Sequence, residues 1–333
     1  MRTKPVVAML LGDPSGIGPE LAVNVLARPA NLARADIVIL GDPNVLALGE
    51  KTTGIALDLK RVNRVDDLAF DAGRVTLVPF AWIASGEIEI GRATTASGRA
   101  VLASLSCAAE AVRAGAIDGI VFAPLNKHAM RMAGLAEEDE MRFLQRALGV
   151  KEFVTEFNIT GRLWTSRVTS HIPLSAVAAA ITADGVREAV RIIDRNLRVA
   201  GIAKPRIAVA GLNPHAGDGG SFGREEIDII APAVRSLALE ELDARGPFPA
   251  DTVFVAARRG DFDAVVTMYH DQGQIAMKLM GFDEGVTLLG GLPVPVATCA
   301  SGTAFDIAGK GTANVEGLQQ AFDIVVRMSG RGR

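Results

Sequence analysis

Three of the four histidines in this 333-residue chain stand where a strand-like run of residues passes into a loop. They are His171, His215 and His270, whereas the fourth, His128, falls in a segment with a helical pattern. In α/β proteins the ligand crevice lies outside the carboxyl ends of the strands. A single histidine in such a loop is more often a structural residue, but three in equivalent positions make a candidate divalent-metal site with open positions for a substrate.

Two glycine-rich segments near the ends of the chain have the composition of ligand-binding turns. Residues 12–20 follow a strand-like run and open a helix, and their glycines allow either a tight βα turn or a turn that presents backbone amides to an anion. Their spacing is not the G-x-G-x-x-G fingerprint of dinucleotide binding. Residues 301–311 predict a helix N-terminus that holds phosphate, with Asp306 either bound to a ribose hydroxyl or capping the helix.

The elements that must position these residues alternate along the chain. Strands are predicted over residues 6–11, 36–40, 75–78, 119–123, 163–169, 206–212 and 264–268. Helices are predicted from about residue 19, over 93–114, from 127 onward, over 185–199 and over 315–328. Short strands that alternate with helices of this length indicate βαβ units, and therefore an α/β fold with a largely parallel sheet.

Composition narrows the class of protein. The length suits two subdomains or one large α/β unit, and 49% apolar with 22% charged residues is an ordinary globular balance. A net charge of -3 argues against a nucleic-acid partner, and no apolar run reaches the ~18 residues of a membrane span. Cys107 and Cys299 are too few for a disulfide framework. The N-terminal residues lack a signal-peptide pattern, so we expect a cytoplasmic protein.

Seven segments, in order along nearly the whole chain, resemble motifs of the 4-hydroxythreonine-4-phosphate dehydrogenase family of the isocitrate/isopropylmalate dehydrogenase superfamily. They are residues 12–20, 126–127, 171–174, 212–217, 249–252, 269–273 and 302–311. The resemblance implies one catalytic unit over 1–333, built from two α/β subdomains with the active-site cleft between them and assembled as a homodimer. We expect the cofactor-side subdomain at 1–125 plus 275–333, and the metal and dimer side at 126–274.

The resemblance also implies the reaction. It is the oxidation of a secondary alcohol on a small acidic substrate, with NAD or NADP as hydride acceptor and with decarboxylation of the product. A divalent cation, zinc in the first instance and Mg²⁺, Mn²⁺ or Co²⁺ as alternatives, would polarise the alcohol oxygen. The implied ligands of this cation are His171, His215 and His270. The implied cofactor-binding residues are Gly302, Thr303, Ala304 and Asp306.

Two further groups of residues complete the implied site. Asp251, Asp271 and Lys127 are candidates for the base that takes the alcohol proton, although the two aspartates are equally suited to orienting the ligand imidazoles. The candidates for contact with the substrate are Asn126, Arg142, Lys278 and Thr287.

The chain departs from the family where the substrate is held. Residues 139–142 read Asp-Glu-Met-Arg in place of Gly-His-Thr-Glu, and a substrate-binding Asn and Arg of the family fall on Thr287 and Val296. Losing an arginine from a phosphate site is not a conservative change. The departures favour the branch of the family that oxidises cis-dihydrodiols of aromatic acids, such as terephthalate dihydrodiol, with Arg142 or Arg131 as carboxylate partner. The alternatives are 4-hydroxythreonine 4-phosphate, a related sugar-acid phosphate, and an inactive metal- or nucleotide-binding protein.

Overall fold

Strands and helices alternate through the computed structural model, which describes residues 4–281 and 284–330. The strands are β1 (Val6–Leu10), β2 (Asp36–Gly41), β3 (Leu59–Arg61), β4 (Val75–Pro79), β5 (Gly119–Phe122), β6 (Thr155–Thr160), β7 (Leu163–Arg167), β8 (Arg206–Ala210), β9 (Asp243–Phe248), β10 (Ala264–Thr267), β11 (Val286–Gly290) and β12 (Val296–Cys299). The α-helices are α1 (Gly18–Leu26), α2 (Pro29–Arg34), α3 (Pro43–Thr53), α4 (Thr95–Arg113), α5 (Lys127–Met132), α6 (Glu140–Ala147), α7 (Leu174–Ala180), α8 (Ala183–Val199), α9 (Ala231–Leu237), α10 (Ala250–Arg258), α11 (His270–Gly281) and α12 (Glu316–Ser329). None of the helices in these residues is long and apolar enough to cross a membrane.

The predicted α/β class with a largely parallel sheet is confirmed, and each predicted strand is present. The strands expected over 163–169 and 206–212 end earlier, at Arg167 and Ala210, because the chain turns there into the histidine-bearing loops. The helix expected from residue 127 is split in two, since Gly134 adopts a φ of 97° between α5 and α6. Five strands of the described residues were not predicted: β3, β6, β9, β11 and β12. Of these, β3 and β9 are edge strands with partly exposed residues, so they need no apolar run.

Two units divide the chain: unit 1 is Met1–Val154 together with Val286–Arg333, and unit 2 is Thr155–Gly285. Both boundaries lie further along the chain than the expected ones, which followed residues 125 and 274. The first boundary is later because α5 and α6 pack against α4 and add apolar side chains to the core of unit 1. The second is later because α11 places Met277 in the core of unit 2.

The sheet of unit 1 has the strand order β3-β4-β2-β1-β5-β12-β11. Its neighbouring strands are parallel except for the antiparallel pair β11 and β12. β1 and β5 are buried along their whole length, as expected for central parallel strands. The glycine-rich segment 12–20 follows the carboxyl end of β1, and Asn126 follows that of β5.

The sheet of unit 2 has the strand order β6-β7-β10-β8-β9. β6 and β7 form an antiparallel pair, whereas β7, β10, β8 and β9 are parallel. Val265 on β10 and Ala208 on β8 are fully buried, and they pack in one core cluster with Phe254 of α10 and Met277 of α11. The carboxyl ends of β7, β10 and β8 therefore lie side by side at one edge of the sheet.

One close approach between helices of unit 1 depends on a glycine. At Gly98, in α4, a Cβ would lie only 1.9 Å from the backbone oxygen of Ala129, in α5. No side chain fits at that distance, so the two helix backbones touch directly. This contact helps to hold α5, whose N-cap is Asn126, in place.

We predict that Gly98→Ala destabilises the protein by roughly 1–3 kcal/mol, the usual cost of overpacking a core. Helix propensity alone would act in the opposite direction by about 1 kcal/mol, so the sign of the change is informative. Urea unfolding would measure it, with Gly86→Ala as the matched control because no atom lies within 4 Å of a Cβ at that position. A stabilised Gly98→Ala protein would contradict the close approach.

Candidate functional site

The three strand-end histidines of unit 2 share one edge of its sheet. His171 follows β7, His215 follows β8, and His270 follows β10 as the first residue of α11. β10 lies between β7 and β8 and is parallel to both. The strand order therefore brings the three loops to neighbouring positions, as the sequence predicted.

Hydrogen bonds between the three loops fix them to one another. The Thr169 hydroxyl, just before His171, donates to the Met268 carbonyl at 2.8 Å, which joins the loops after β7 and β10. The Gln272 amide donates to the Gly211 carbonyl at 2.8 Å and accepts from the Met268 N–H at 2.7 Å. The first of these bonds joins the start of α11 to the loop after β8, and the second ties α11 to the end of β10.

Two of the histidines lie in a backbone conformation that is unfavourable for their residue type. His171 and His215 both have a φ of 53°, and Ala216 and Asp218 follow His215 with φ of 53° and 43°. Each left-handed residue other than glycine costs roughly 1–2 kcal/mol. Strain of this kind persists where surrounding contacts enforce it, and it is concentrated at functional sites.

A buried carboxylate enforces the conformation of the His215 loop. Glu226 is 2% exposed, and its Oε1 accepts hydrogen bonds from the backbone N–H groups of Leu212 and Asn213 at 2.7 Å each. Its Oε2 accepts from the Asn213 side-chain amide at 2.9 Å. Sequence reasoning missed Glu226, because a glutamate 11 residues from a histidine carries no local signal.

A buried arginine anchors the loop after β7. Arg167 is 5% exposed and donates to the Ser170 hydroxyl at 3.0 Å, the Asn158 side-chain oxygen at 2.9 Å and Glu156 at 2.6 Å. Asn158 also accepts from the Gln274 side chain of α11 at 2.6 Å. This network supports the residue next to His171 and connects it with the helix that His270 begins.

The rings of His171 and His270 face a common pocket of about 400 Å³. Their centroids are 5.5 Å apart, and Asp271 Oδ1 lies 2.7 Å from Nδ1 of His270. A carboxylate on one ring nitrogen fixes the orientation of the imidazole and leaves the other nitrogen for a cation. Of the two roles that Asp271 was expected to fill, this geometry is that of the orienting group.

The ligand atoms of the three histidines are further apart than a bound cation requires. Within the described residues of unit 2, no three His, Cys, Asp or Glu side chains bring one ligand atom each within 4.8 Å of one another. Zinc–nitrogen distances of about 2.1 Å hold ligand atoms within roughly 4 Å. Binding by all three imidazoles therefore requires their ligand atoms to move closer together.

The two other candidates of unit 2 are exposed. Asp251 lies in the first turn of α10 and makes no hydrogen bond or ion pair with the described residues. Lys278 lies on α11, eight residues after His270, which corresponds to about 12 Å along the helix axis. Both side chains are accessible to a ligand.

In unit 1 the two glycine-rich segments pack against each other. The Ile17 N–H donates to the Thr303 carbonyl at 3.0 Å, and a Cβ at Gly16 would lie 2.8 Å from the Thr303 side chain. The Glu20 carboxylate, 2% exposed, accepts from the N–H groups of Gly311 at 3.3 Å and Ala313 at 3.1 Å. Residues 12–20 thus position the C-terminal loop.

The helix N-terminus expected within residues 301–311 is wrong. These residues form turns, with Ala304 at φ 42° and Gly309 at φ 74°, and α12 begins only at Glu316. Asp306 is therefore not a helix cap, and its side chain is exposed. Gly302 is also exposed, while Thr303 and Ala304 are half-buried.

Two of the expected unit 1 residues lie at the N-terminus of α5. Asn126 caps this helix by accepting from the Ala129 N–H at 2.9 Å, and its side-chain nitrogen lies 3.5 Å from the Thr303 hydroxyl. The adjacent Lys127 lies 3.7 Å from the Glu140 carboxylate. Asn126, expected to contact the substrate, and Thr303, expected to contact the cofactor, are therefore neighbours.

The remaining unit 1 candidates differ in exposure. Arg142 is half-buried in α6 and donates to the Gln145 side chain at 2.9 Å. Thr287 is half-buried on β11, whereas Val296 on β12 is fully buried. The position where the family resemblance places an arginine is thus part of the core.

Asp13 is a buried acid that sequence reasoning did not single out. Its side chain is 0% exposed, and Oδ1 accepts from the Ser15 N–H at 2.8 Å. Oδ2 has no hydrogen-bond partner among the described residues. Burial raises the pKa of Asp13 from 3.8 to about 6, against the opposing effect of the Ser15 N–H.

Comparison with known families matches residues 33–325 of this chain to the family described as pyridoxal phosphate biosynthetic protein PdxA. Among individual proteins, the "Putative 4-hydroxythreonine-4-phosphate dehydrogenase 2" of Pseudomonas aeruginosa is 49% identical over 97% of both chains.

Solved structures agree with this match. A 4-hydroxythreonine-4-phosphate dehydrogenase from Klebsiella pneumoniae is 32% identical with a TM-score of 0.85, and 98% of each chain is covered. A terephthalate 1,2-cis-dihydrodiol dehydrogenase from Burkholderia xenovorans is also 32% identical, but its TM-score is 0.68, with 97% of this chain and 98% of that chain covered.

We predict that Asp13→Asn changes the pH dependence of stability. A carboxyl whose pKa is raised in the folded state favours folding below its unfolded pKa of 3.8, and this stability is lost as pH rises through about 6. The variant keeps the acceptor for Ser15 but cannot ionise. The free energy of unfolding of Asp13→Asn, relative to that of wild type, should therefore increase by up to about 3 kcal/mol from pH 4 to pH 8.

Urea unfolding across this pH range would measure the difference, with the exposed Asp306→Asn as the matched control. A difference between Asp13→Asn and wild type that stays constant with pH would contradict the ionisation of a buried acid.

Proposed function

This chain belongs to the family of pyridoxal phosphate biosynthetic protein PdxA, and from that premise we propose that it oxidises the secondary alcohol of 4-hydroxythreonine 4-phosphate. As a member of this family it is a dehydrogenase that acts on a CH–OH group with NAD(P) as the hydride acceptor. The proposed product carries a ketone β to a carboxylate, so loss of CO₂ follows oxidation.

One observation carries the substrate proposal. The similarity to the Pseudomonas aeruginosa protein extends over 97% of this chain and therefore includes the three histidine loops and the C-terminal loop. The aromatic dihydrodiol favoured by the sequence has weaker support, since the dihydrodiol dehydrogenase has the lower TM-score of the two solved structures. It stays the second candidate because Thr287 and the buried Val296 stand where the family resemblance places an asparagine and an arginine.

We assign His171, His215 and His270 as the residues that hold a divalent cation, with zinc as the first choice. Three neutral imidazoles suit zinc and related metals, and the strained backbones of two of them indicate a functional role. A bound cation would supply Lewis acidity to the oxygen of the substrate alcohol.

The chain's own residues have distinct proposed roles around this site. Asp271 orients His270 through Nδ1, and Arg167 holds Ser170 next to His171. Since Asp271 is engaged with an imidazole, Asp251 and Lys127 are the proposed candidates for the base. Lys278 and Arg142 are the cations proposed to contact the acidic substrate, together with Asn126 and Thr287.

We propose that the C-terminal loop binds the adenosine part of NAD or NADP. Exposed Gly302 and Asp306 flank half-buried Thr303 and Ala304, so both backbone amides and a carboxylate are accessible. The contacts from Ile17 and Glu20 hold the loop in place before any ligand binds. Asp306 has no capping role to compete with an interaction with ribose.

We also propose that unit 2 forms the interface of a homodimer. Of the twelve large hydrophobic side chains that are exposed among the described residues, nine belong to unit 2, although it is the smaller unit. This excess of exposed apolar side chains makes unit 2 the better candidate for an interaction surface. The nine residues are Ile172, Leu174, Val199, Phe222, Ile227, Leu239, Val255, Ile275 and Leu279.

We predict that His215→Ala or His270→Ala lowers the affinity for a divalent cation by at least ~10–100-fold, because each removes a proposed ligand. Elemental analysis after dialysis against limiting metal would measure the occupancy. His128→Ala is the matched control, since His128 is exposed on α5 of unit 1. Full occupancy in both ligand variants would disprove the assignment.

Steady-state kinetics test the substrate proposal. We expect kcat/KM for 4-hydroxythreonine 4-phosphate to exceed that for unphosphorylated 4-hydroxythreonine by at least ~10²-fold, because a bound phosphate makes several charge-assisted hydrogen bonds. Each substrate is to be assayed with NAD⁺ and with NADP⁺. Faster turnover of terephthalate dihydrodiol would favour the second candidate, and no turnover of any of them would contradict both.

A further inference from the structure

A second pocket of unit 2 lies at the amino ends of its parallel strands, at the opposite end of these strands from the histidine loops. It has a volume of about 480 Å³ and is lined by residues at the amino ends of three strands. Arg162 precedes β7, Arg206 begins β8, and Asp263 precedes β10. Because these strands are parallel, the pocket is separated from the histidine loops by the length of the strands.

Four arginines line this pocket, which we call the arginine pocket: Arg162, Arg206, Arg258 and Arg259. Among the described residues that line it, the carboxylates are Asp263 and Glu284, so four guanidinium groups stand against two carboxylates there. Asp261 lies 3.5 Å from Arg259 and offsets one further charge at the rim. The pocket is therefore basic in a chain whose net charge is -3.

The arginines differ in how far their donors are already used. Arg206 binds both oxygens of Asp263, at 3.1 Å through Nε and 2.9 Å through Nη2. Among the residues that the structure describes, Arg162 and Arg258 have no hydrogen-bond or ion-pair partner. Two exposed guanidinium groups at one pocket thus keep all of their donors for a ligand.

The pocket also has an apolar side. Phe262 and Met280 line it and are half-buried, and the Phe262 ring packs against Phe248 with centroids 5.4 Å apart. Packing against a second ring holds Phe262 in position at the pocket wall. The combination of a fixed apolar wall with convergent charged groups is typical of small-molecule sites.

We propose that the arginine pocket binds an organic phosphate, that is, a phosphate monoester carried on a small apolar or aromatic group. Guanidinium groups bind phosphate oxygens in a bidentate manner, and the excess of guanidinium groups over carboxylates among the described lining residues favours an anion. The apolar group would lie against Phe262 and Met280. The proposal uses none of the residues assigned to the dehydrogenase site, so it stands independently of the proposed function.

Phenyl phosphate is a suitable probe, titrated into the full-length protein by calorimetry. We expect saturable binding of one molecule per chain, weakened at least ~10-fold in the double variant Arg162→Gln/Arg258→Gln through loss of charge-assisted hydrogen bonds. Arg235→Gln is the matched control, because Arg235 is also exposed in unit 2 without a partner among the described residues but lies outside the pocket. Hydrogen exchange should slow in residues 257–263.

Several outcomes would overturn the proposal. The first is an absence of binding to wild type, and the second is an equal loss of affinity in Arg235→Gln. The third is slower exchange only in residues 169–174 and 269–273, which would place phenyl phosphate at the histidine pocket. Equal affinity for inorganic phosphate would show that the apolar wall plays no part.

Discussion

The parallel pairing of β10 with both β7 and β8 is the constraint on which the histidine site depends. It brings three chain segments that are distant in sequence to one sheet edge, where Thr169 and Gln272 join their loops. The register matters as much as the strand order, because a shift of one residue moves a loop by about 3.3 Å and turns each side chain to the other face. The pairing of Val266 with Ser166 therefore fixes the positions of the two loops that carry His171 and His270.

Buried carboxylates then fix the loops that the sheet only brings together. Glu226 and Glu20 are each 2% exposed, and each accepts two backbone N–H groups from a loop with irregular conformation. Hydrogen bonds from amides offset the cost of burying an ionised group. Asp13 receives a single such bond, from the Ser15 N–H, and its burial raises its pKa to about 6. Buried carboxyl groups thus anchor the loops at Glu226 and Glu20, whereas burial at Asp13 favours the neutral form.

The sequence predicts the parts of this structure that follow from periodicity and misses those that follow from long-range contacts. The buried strands and the strand-end positions of the three histidines could be predicted, because apolar runs and their ends are local features. The roles of Glu226 and Arg167 could not, since their partners are set by tertiary packing. The helix expected at residues 301–311 failed for a related reason: Gly309 and Gly311 both adopt positive φ, and the loop is held by Glu20 instead.

The burial of Val296 bears on which groups of this chain would bind a phosphorylated substrate. Its side chain is fully buried in the core of unit 1, at the position where the family resemblance places an arginine, so valine there would leave a phosphate without that guanidinium group. Each charge-assisted hydrogen bond lost from a phosphate costs about 1.5–3 kcal/mol if nothing replaces it. A phosphorylated substrate would therefore have to recover this free energy from the other cations proposed to contact it, Arg142 and Lys278, or from backbone amides such as that of Gly302. A dihydrodiol acid needs only a carboxylate partner, so the number of cations that contact the substrate separates the two candidates more sharply than the fold does.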